Sequence, residues 1–151
     1  MVYKLFLMKR EYPKHPIAAV GVVVLKKGKV LLIKRNKPPK SFEWSIPGGA
    51  QDLGEKLKET AKREVWEEAG IRIKNLTLVD AVDFIKKDES NTTQYHYSLI
   101  DYMADYDGGD LTAGDDAIDA KWVAVDELQQ YNLWQETTTL IQKAIALKTK
   151  D

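Results

Sequence analysis

The stretch from Trp44 to Ile71, WSIPGGAQDLGEKLKETAKREVWEEAGI, constrains this chain more than any other. A Pro-Gly-Gly turn and a short polar loop lead into a charged segment carrying Arg63, Glu64, Glu67 and Glu68. The pattern predicts a helix from about Lys56 to Ala69, with Gly70 closing it. At 100° per residue, Glu68 lies about 40° to one side of Glu64 and Glu67 about 60° to the other. Three carboxylates therefore share one sector of the helix. Leu57, Ala61, Val65 and Ala69 step from about +20° to +140°, an apolar stripe directly beside the acidic one. Such a helix buries one flank on a sheet and presents three carboxylates to a neighbouring cleft.

Carboxylates at that density raise one another's pKa and oppose joint ionisation. A divalent cation removes the conflict. The chain has no cysteine and only two histidines, His15 and His96, so the donors are hard oxygens, which suit Mg²⁺ or Mn²⁺. Such an ion shares its coordination between protein, water and substrate phosphates. The chemistry this suggests is metal-assisted attack of water on a phosphate or diphosphate. Pro47-Gly48-Gly49 fits, because glycine lets backbone approach a ligand closely and a main-chain carbonyl there can complete the metal shell. Arg63 can reach back to Glu55 or orient one of the glutamates. A plain solvated helix is the competing reading. The one-sided acidic sector, with a glycine turn at a fixed distance before it, argues against that reading.

The remaining segments frame this helix. Ile17 to Leu25 is almost wholly apolar and reads as a strand buried on both faces. Lys26 to Lys29 is a turn through Gly28, and Val30 to Lys34 is the returning strand. Asn36 to Ser41 is loop, and Trp44 to Ile46 is a short extended piece broken by Pro47-Gly48-Gly49. Leu76 to Ile85, Tyr95 to Tyr106 and Ala120 to Val125 read as strands. Tyr95, Tyr97, Leu99, Asp101 and Met103 share one face, with His96 opposite. Asp126 is expected to N-cap a brief helix to Tyr131. Leu133 to Lys148 has helical apolar spacing. Hairpins at the front and irregular alternation behind them predict an α/β chain, a mixed sheet with helices packed on it.

The 151 residues fit one domain spanning 1–151, with residues 1–12 an N-terminal extension or an additional strand. Lys+Arg and Asp+Glu both number 23, so no global field attracts nucleic acid or anionic lipid. No apolar run approaches the roughly 20 residues of a membrane span, and the N-terminus lacks a signal-peptide pattern. The expectation is a soluble, cytoplasmic protein with no membrane or nucleic-acid partner.

Gly49, Glu55, Arg63, Glu64, Val65, Glu67, Glu68, Gly70 and Ile71 match the Nudix hydrolase box without departure. At average residue frequencies a chance match in such a chain is on the order of 10⁻⁷. The apolar first strand, LLIKR, the Trp44–Gly49 segment and the late Trp122-Val123 strand also resemble the family. YHYSLIDYMA and LTAGDDAIDAKWV resemble its ADP-ribose pyrophosphatase-like branch. The resemblance implies an α/β/α sandwich around a mixed β-sheet. It implies Mg²⁺- or Mn²⁺-dependent hydrolysis of a nucleoside diphosphate linked to another moiety, foremost ADP-ribose to AMP and ribose 5-phosphate. Glu64 and Glu68 match the principal metal ligands, Glu67 an additional one, and the Gly48 carbonyl a further one. Arg63 matches the residue that orients the catalytic glutamate, and Glu55 the first glutamate of the box. The general base is Glu64 or an acid of the late loop, where Asp115 and Asp116 stand. Arg35 matches a substrate-contacting position. Phe42, Phe84, Tyr95 and Tyr97 are candidates for stacking on a base, Trp44 reads as structural, and a homodimer fits relatives of this kind. Two alternatives stay open: a pyrophosphatase acting on ordinary or oxidised nucleoside triphosphates, and a module that senses a nucleotide without cleaving it.

Overall fold

The computed structural model describes residues 10–36 and 42–150. The strand or extension expected at 1–12 and the loop expected at 36–41 therefore fall largely outside the described residues. Residues 10–12 form no strand. The elements are β1 (Ile17–Lys26), β2 (Lys29–Arg35), β3 (Trp44–Ser45), β4 (Gly48–Ala50), α1 (Leu57–Ala69), β5 (Ile73–Lys87), β6 (Thr93–Tyr106), β7 (Ala117–Ala124), a 3-10 helix (Val125–Tyr131) and α2 (Gln135–Thr149). No described helix is long and apolar enough to cross a membrane.

The seven strands form one mixed sheet with β1 at its centre. Lys27 (φ 47°) and Gly28 (φ 76°) both take positive φ, the two-residue hairpin turn whose twist matches its strands. The turn pairs β1 with β2 only at Leu25↔Val30 and Lys26↔Lys29. Beyond it the strands splay. β4 fills the gap antiparallel to β1 at Ala19↔Ala50, Val20↔Gly49 and Gly21↔Gly48, while β6 runs parallel on the other edge of β1. β2 pairs instead with β3 and β7. This corrects the reading of residues 47–49 as a turn. Only Pro47 lies outside a strand, and its carbonyl accepts the Val22 N–H at 2.9 Å. A Cβ on Gly48 would stand 2.1 Å from the Val20 carbonyl oxygen, so only glycine lets the two backbones meet there.

Alternation along β1 and β6 divides the core. Val20, Val22, Val24, Tyr102 and Ala104 pack against Ala61, Val65 and Ala69 of α1. Val23, Met103, Leu32 and Val123 pack against Leu140, Ile141 and Ala144 of α2. The sheet thus lies between two helical layers, the sandwich the resemblance implied. Trp44 is structural as expected, edge-on to Tyr131 at 5.3 Å. The Asp126 cap is not formed: Ala124 precedes the 3-10 helix without a side-chain cap, and Asp126 lies in its first turn. β5 begins at Ile73, earlier than the sequence suggests, and bulges carry its polar start past β6.

Candidate active site

α1 forms as its sequence predicts. The Lys56 N–H is satisfied by Glu59 Oε2 at 3.1 Å, and Gly70 ends the helix at φ 69° with its N–H on the Trp66 carbonyl. The apolar stripe fixes its rotation, which turns Glu64 (8% exposed) and Glu68 (3% exposed) inward onto β4. The paired glycines make room for them. A Cβ on Gly49 would lie 2.4 to 2.6 Å from the Glu64 carboxyl atoms, and the Gly48 N–H donates to Glu68 Oε1 at 2.8 Å. The close approach the glycines permit is therefore to the protein's own strand and glutamates.

Arg63 ties the acidic groups together. Its Nε donates to Glu55 Oε2 at 2.7 Å and Nη2 to Glu55 Oε1 at 3.0 Å, a two-pronged pair. Nη1 donates to Glu64 Oε1 at 2.7 Å and Glu67 Oε2 at 3.2 Å. The remaining Nη2 proton reaches the Ala50 carbonyl at 3.1 Å. All five guanidinium protons are used. Arg63 thus contacts Glu55 and the two helix glutamates at once, where the sequence offers Glu55 or a glutamate as alternatives. The pairing holds the Glu55 carboxyl down at about 2 and raises the guanidinium well above its ordinary value.

Glu68 is the opposite case. Burial pushes its carboxyl up to about 8; Arg35 and the Gly48 N–H oppose the rise, and Glu64 and Asp116 add to it. Those partners come from four segments. Arg35 ends β2 where a bulge shifts its register with β7. Asp116 is held by the Asn36 N–H on its carbonyl at 2.9 Å. Arg35 and Asp116, which the sequence names only as a substrate contact and as an acid of the late loop, thus both act on Glu68. Asp115 is exposed, on left-handed backbone at φ 53°.

Among the described residues no three acidic or imidazole groups converge as a ready-made metal cluster. Arg63 Nη1 occupies one oxygen each of Glu64 and Glu67 and so places positive charge beside both carboxylates. The donor chemistry nevertheless fits a hard divalent ion. It is a set of carboxylates with a deeply buried member whose ionisation is disfavoured until positive charge arrives.

The aromatic candidates separate. Tyr95 is 5% exposed and its hydroxyl donates to Glu11 at 3.0 Å, so it is core. Phe42 is 66% exposed. Phe84 and Tyr97 meet at 6.4 Å, and Trp134, which the sequence reading did not single out, stands edge-on to Phe84 at 5.5 Å. A tryptophan just before an amphipathic helix was the available signal. Thr60 was also missed, although it lies one turn before Glu64 on the same sector.

A family model of the NUDIX domain matches residues 14–144. An ADP-ribose pyrophosphatase of Methanocaldococcus jannaschii is 33% identical over 130 residues, covering 83% of this chain and 75% of that protein. The NAD-capped RNA hydrolase NudC of Pectobacterium atrosepticum is 32% identical over 124 residues, 81% of this chain, although the match spans only 44% of that relative. A MutT Nudix hydrolase from Burkholderia pseudomallei superposes with TM-score 0.73 at 29% identity, covering 86% of this chain and 98% of that one. The Nudix domain of Shewanella oneidensis NrtR, solved with ADP ribose, shares the fold at TM-score 0.73 and 21% identity, covering 96% of each chain. An unbroken box on a matching sandwich, with the family model covering most of the chain, places this protein in the Nudix hydrolase family, whose members act on diphosphate anhydrides.

Proposed function

We propose that this chain hydrolyses ADP-ribose to AMP and ribose 5-phosphate with Mg²⁺ or Mn²⁺. The observation that carries the reading is the convergence on buried Glu68 of Glu64, Asp116, Arg35 and the Gly48 N–H. Glu64, Glu67, Glu68 and the Gly48 carbonyl would hold the ion. When bound, it neutralises diphosphate charge and lowers the pKa of an attacking water. Arg35 would pair with a phosphate oxygen as an always-charged donor. Arg63 keeps Glu64 in one orientation, and Glu64 or Asp116 accepts the water proton. Phe84, Tyr97 and Trp134 offer aromatic surface for the adenine. Likeness to the M. jannaschii pyrophosphatase favours ADP-ribose over other diphosphates.

The test is product analysis with Mg²⁺ over ADP-ribose, NAD, NADH, dinucleoside polyphosphates and nucleoside triphosphates. ADP-ribose is expected to give the highest kcat/KM, with AMP as product. A nucleoside triphosphate turned over faster, releasing pyrophosphate, replaces this substrate with the triphosphate reading. Tight nucleotide binding with no turnover in any metal supports a sensing module instead. Glu64→Gln is expected to lower kcat about 10³-fold or more with the fold intact.

A further inference from the structure

The family's box leaves position 60 unspecified, yet Thr60 is wholly buried on the acidic side of α1. A threonine inside a helix ordinarily satisfies its hydroxyl on the carbonyl four residues back. Here that contact, to the Lys56 carbonyl, is 3.2 Å long. Glu55 Oε1 lies closer, at 2.6 Å. A hydroxyl has one proton to donate, and the shorter, charge-assisted bond takes it.

The bond matters because of what Glu55 holds. Its Oε1 accepts from Thr60, from Arg63 Nη2 at 3.0 Å and from the Asp52 N–H at 3.2 Å, and its Oε2 accepts from Arg63 Nε. Arg63 in turn holds Glu64 and Glu67. A cation taken up by those two carboxylates competes with Arg63 Nη1 for their charge, since Nη1 already holds one oxygen of each. Where Nη1 gives way, the guanidinium is retained by Glu55, by the Ala50 carbonyl and by Asp52, whose Oδ2 lies 3.5 Å from Nε. An anchored Glu55 keeps Arg63 from following the carboxylates and competing with the ion.

We propose that Thr60 is a positioning residue for the metal site: its hydroxyl clamps Glu55, which fixes Arg63 and so sets how readily Glu64 and Glu67 are released to a divalent cation. This rests on the metal-dependent hydrolase reading above. Thr60→Val keeps the shape and the β-branch and removes only the donor. Thr60→Ser keeps the donor and removes the methyl group.

The experiment measures Mn²⁺ binding to both variants and the parent by calorimetry without substrate, alongside kcat, KM and thermal midpoints. For Thr60→Val the expected result is Mn²⁺ affinity weakened about tenfold, the lower end for residues that support metal ligands. kcat should fall by a similar factor, with KM for the nucleotide within about twofold. Thr60→Ser should restore both to within about twofold of the parent. Parent-like Mn²⁺ affinity in Thr60→Val overturns the proposal. So does a serine variant as impaired as the valine one, which would assign the effect to lost packing. If the parent turns over no nucleotide, the hydrolase reading fails, and calorimetric Mn²⁺ binding alone still decides the role of Thr60.

Discussion

Asp101 is a carboxyl buried under the α2 layer, 3% exposed, and it takes no part in the proposed chemistry. It sits where β6 runs beside Gly21, and a Cβ on Gly21 would lie 2.5 Å from its Oδ1. Burial pushes it from 3.8 up to about 6; Asp80 adds to the rise, and a hydrogen bond from the Gly21 backbone opposes it. The folded protein therefore binds this proton more tightly than the unfolded chain does. Between pH 3.8 and about 6 the folded state carries more protons, so stability falls as pH rises through that window and then levels off. At about 1.4 kcal/mol per pH unit, the rise amounts to roughly 3 kcal/mol of lost stability near pH 8. Asp101→Asn keeps the shape and an acceptor for the Gly21 N–H while removing the charge. We expect it to gain about 1.5–3 kcal/mol at pH 8 and to match the parent within about 0.5 kcal/mol at pH 3.5. For a chain of this size that is a rise in thermal midpoint of roughly 3–12 °C. The assay is urea unfolding of both proteins from pH 3.5 to 8 with a chelator present. Glu68 also titrates in the folded state, but the difference between the two proteins cancels a slope they share. A variant less stable than the parent at pH 8 would show that the fold stabilises the charged carboxylate, and a gain equal at both ends of the range would show that charge is not its cause; either result refutes the reasoning.

Other changes test the site and its scaffold. Gly49→Ala sets a Cβ against the Glu64 carboxyl atoms; kcat should drop about 10²-fold, as expected when a catalytic group is displaced by about an ångström, while circular dichroism stays native. Gly48→Ala pushes a Cβ onto the Val20 carbonyl, and urea unfolding should show a loss of at least about 2 kcal/mol from the broken β1–β4 pairing. Arg63→Lys keeps the charge but cannot grip Glu55 with two prongs; kcat is expected to fall about 10- to 100-fold with little change in KM. Trp134→Ala should raise KM for ADP-ribose several-fold while kcat holds, if its ring receives the base; stacked bases contribute about 1–3 kcal/mol each.

What the sequence disclosed was local. α1 was legible because two periodicities, the apolar stripe and the acidic sector, coincide within four turns, and Gly70 marks the end with the backbone angle only glycine adopts cheaply. The β1–β2 hairpin was legible because Lys27-Gly28 favours one turn. β4 was not, since three residues carry no period and its reason for being a strand is the carbonyl of Val20, 28 residues earlier. The same limit explains the site. The glutamates declared themselves by spacing along one helix. That Arg35 and Asp116 belong beside Glu68 depends on a bulge between β2 and β7, and a bulge is decided by pairing across the sheet, not by either strand's own residues. Thr60 shows the boundary most sharply. Its place on the acidic sector follows from helix geometry alone. Whether its hydroxyl serves the helix or Glu55 is a difference between 3.2 and 2.6 Å, fixed by how the loop from Gln51 to Glu55 folds back onto α1.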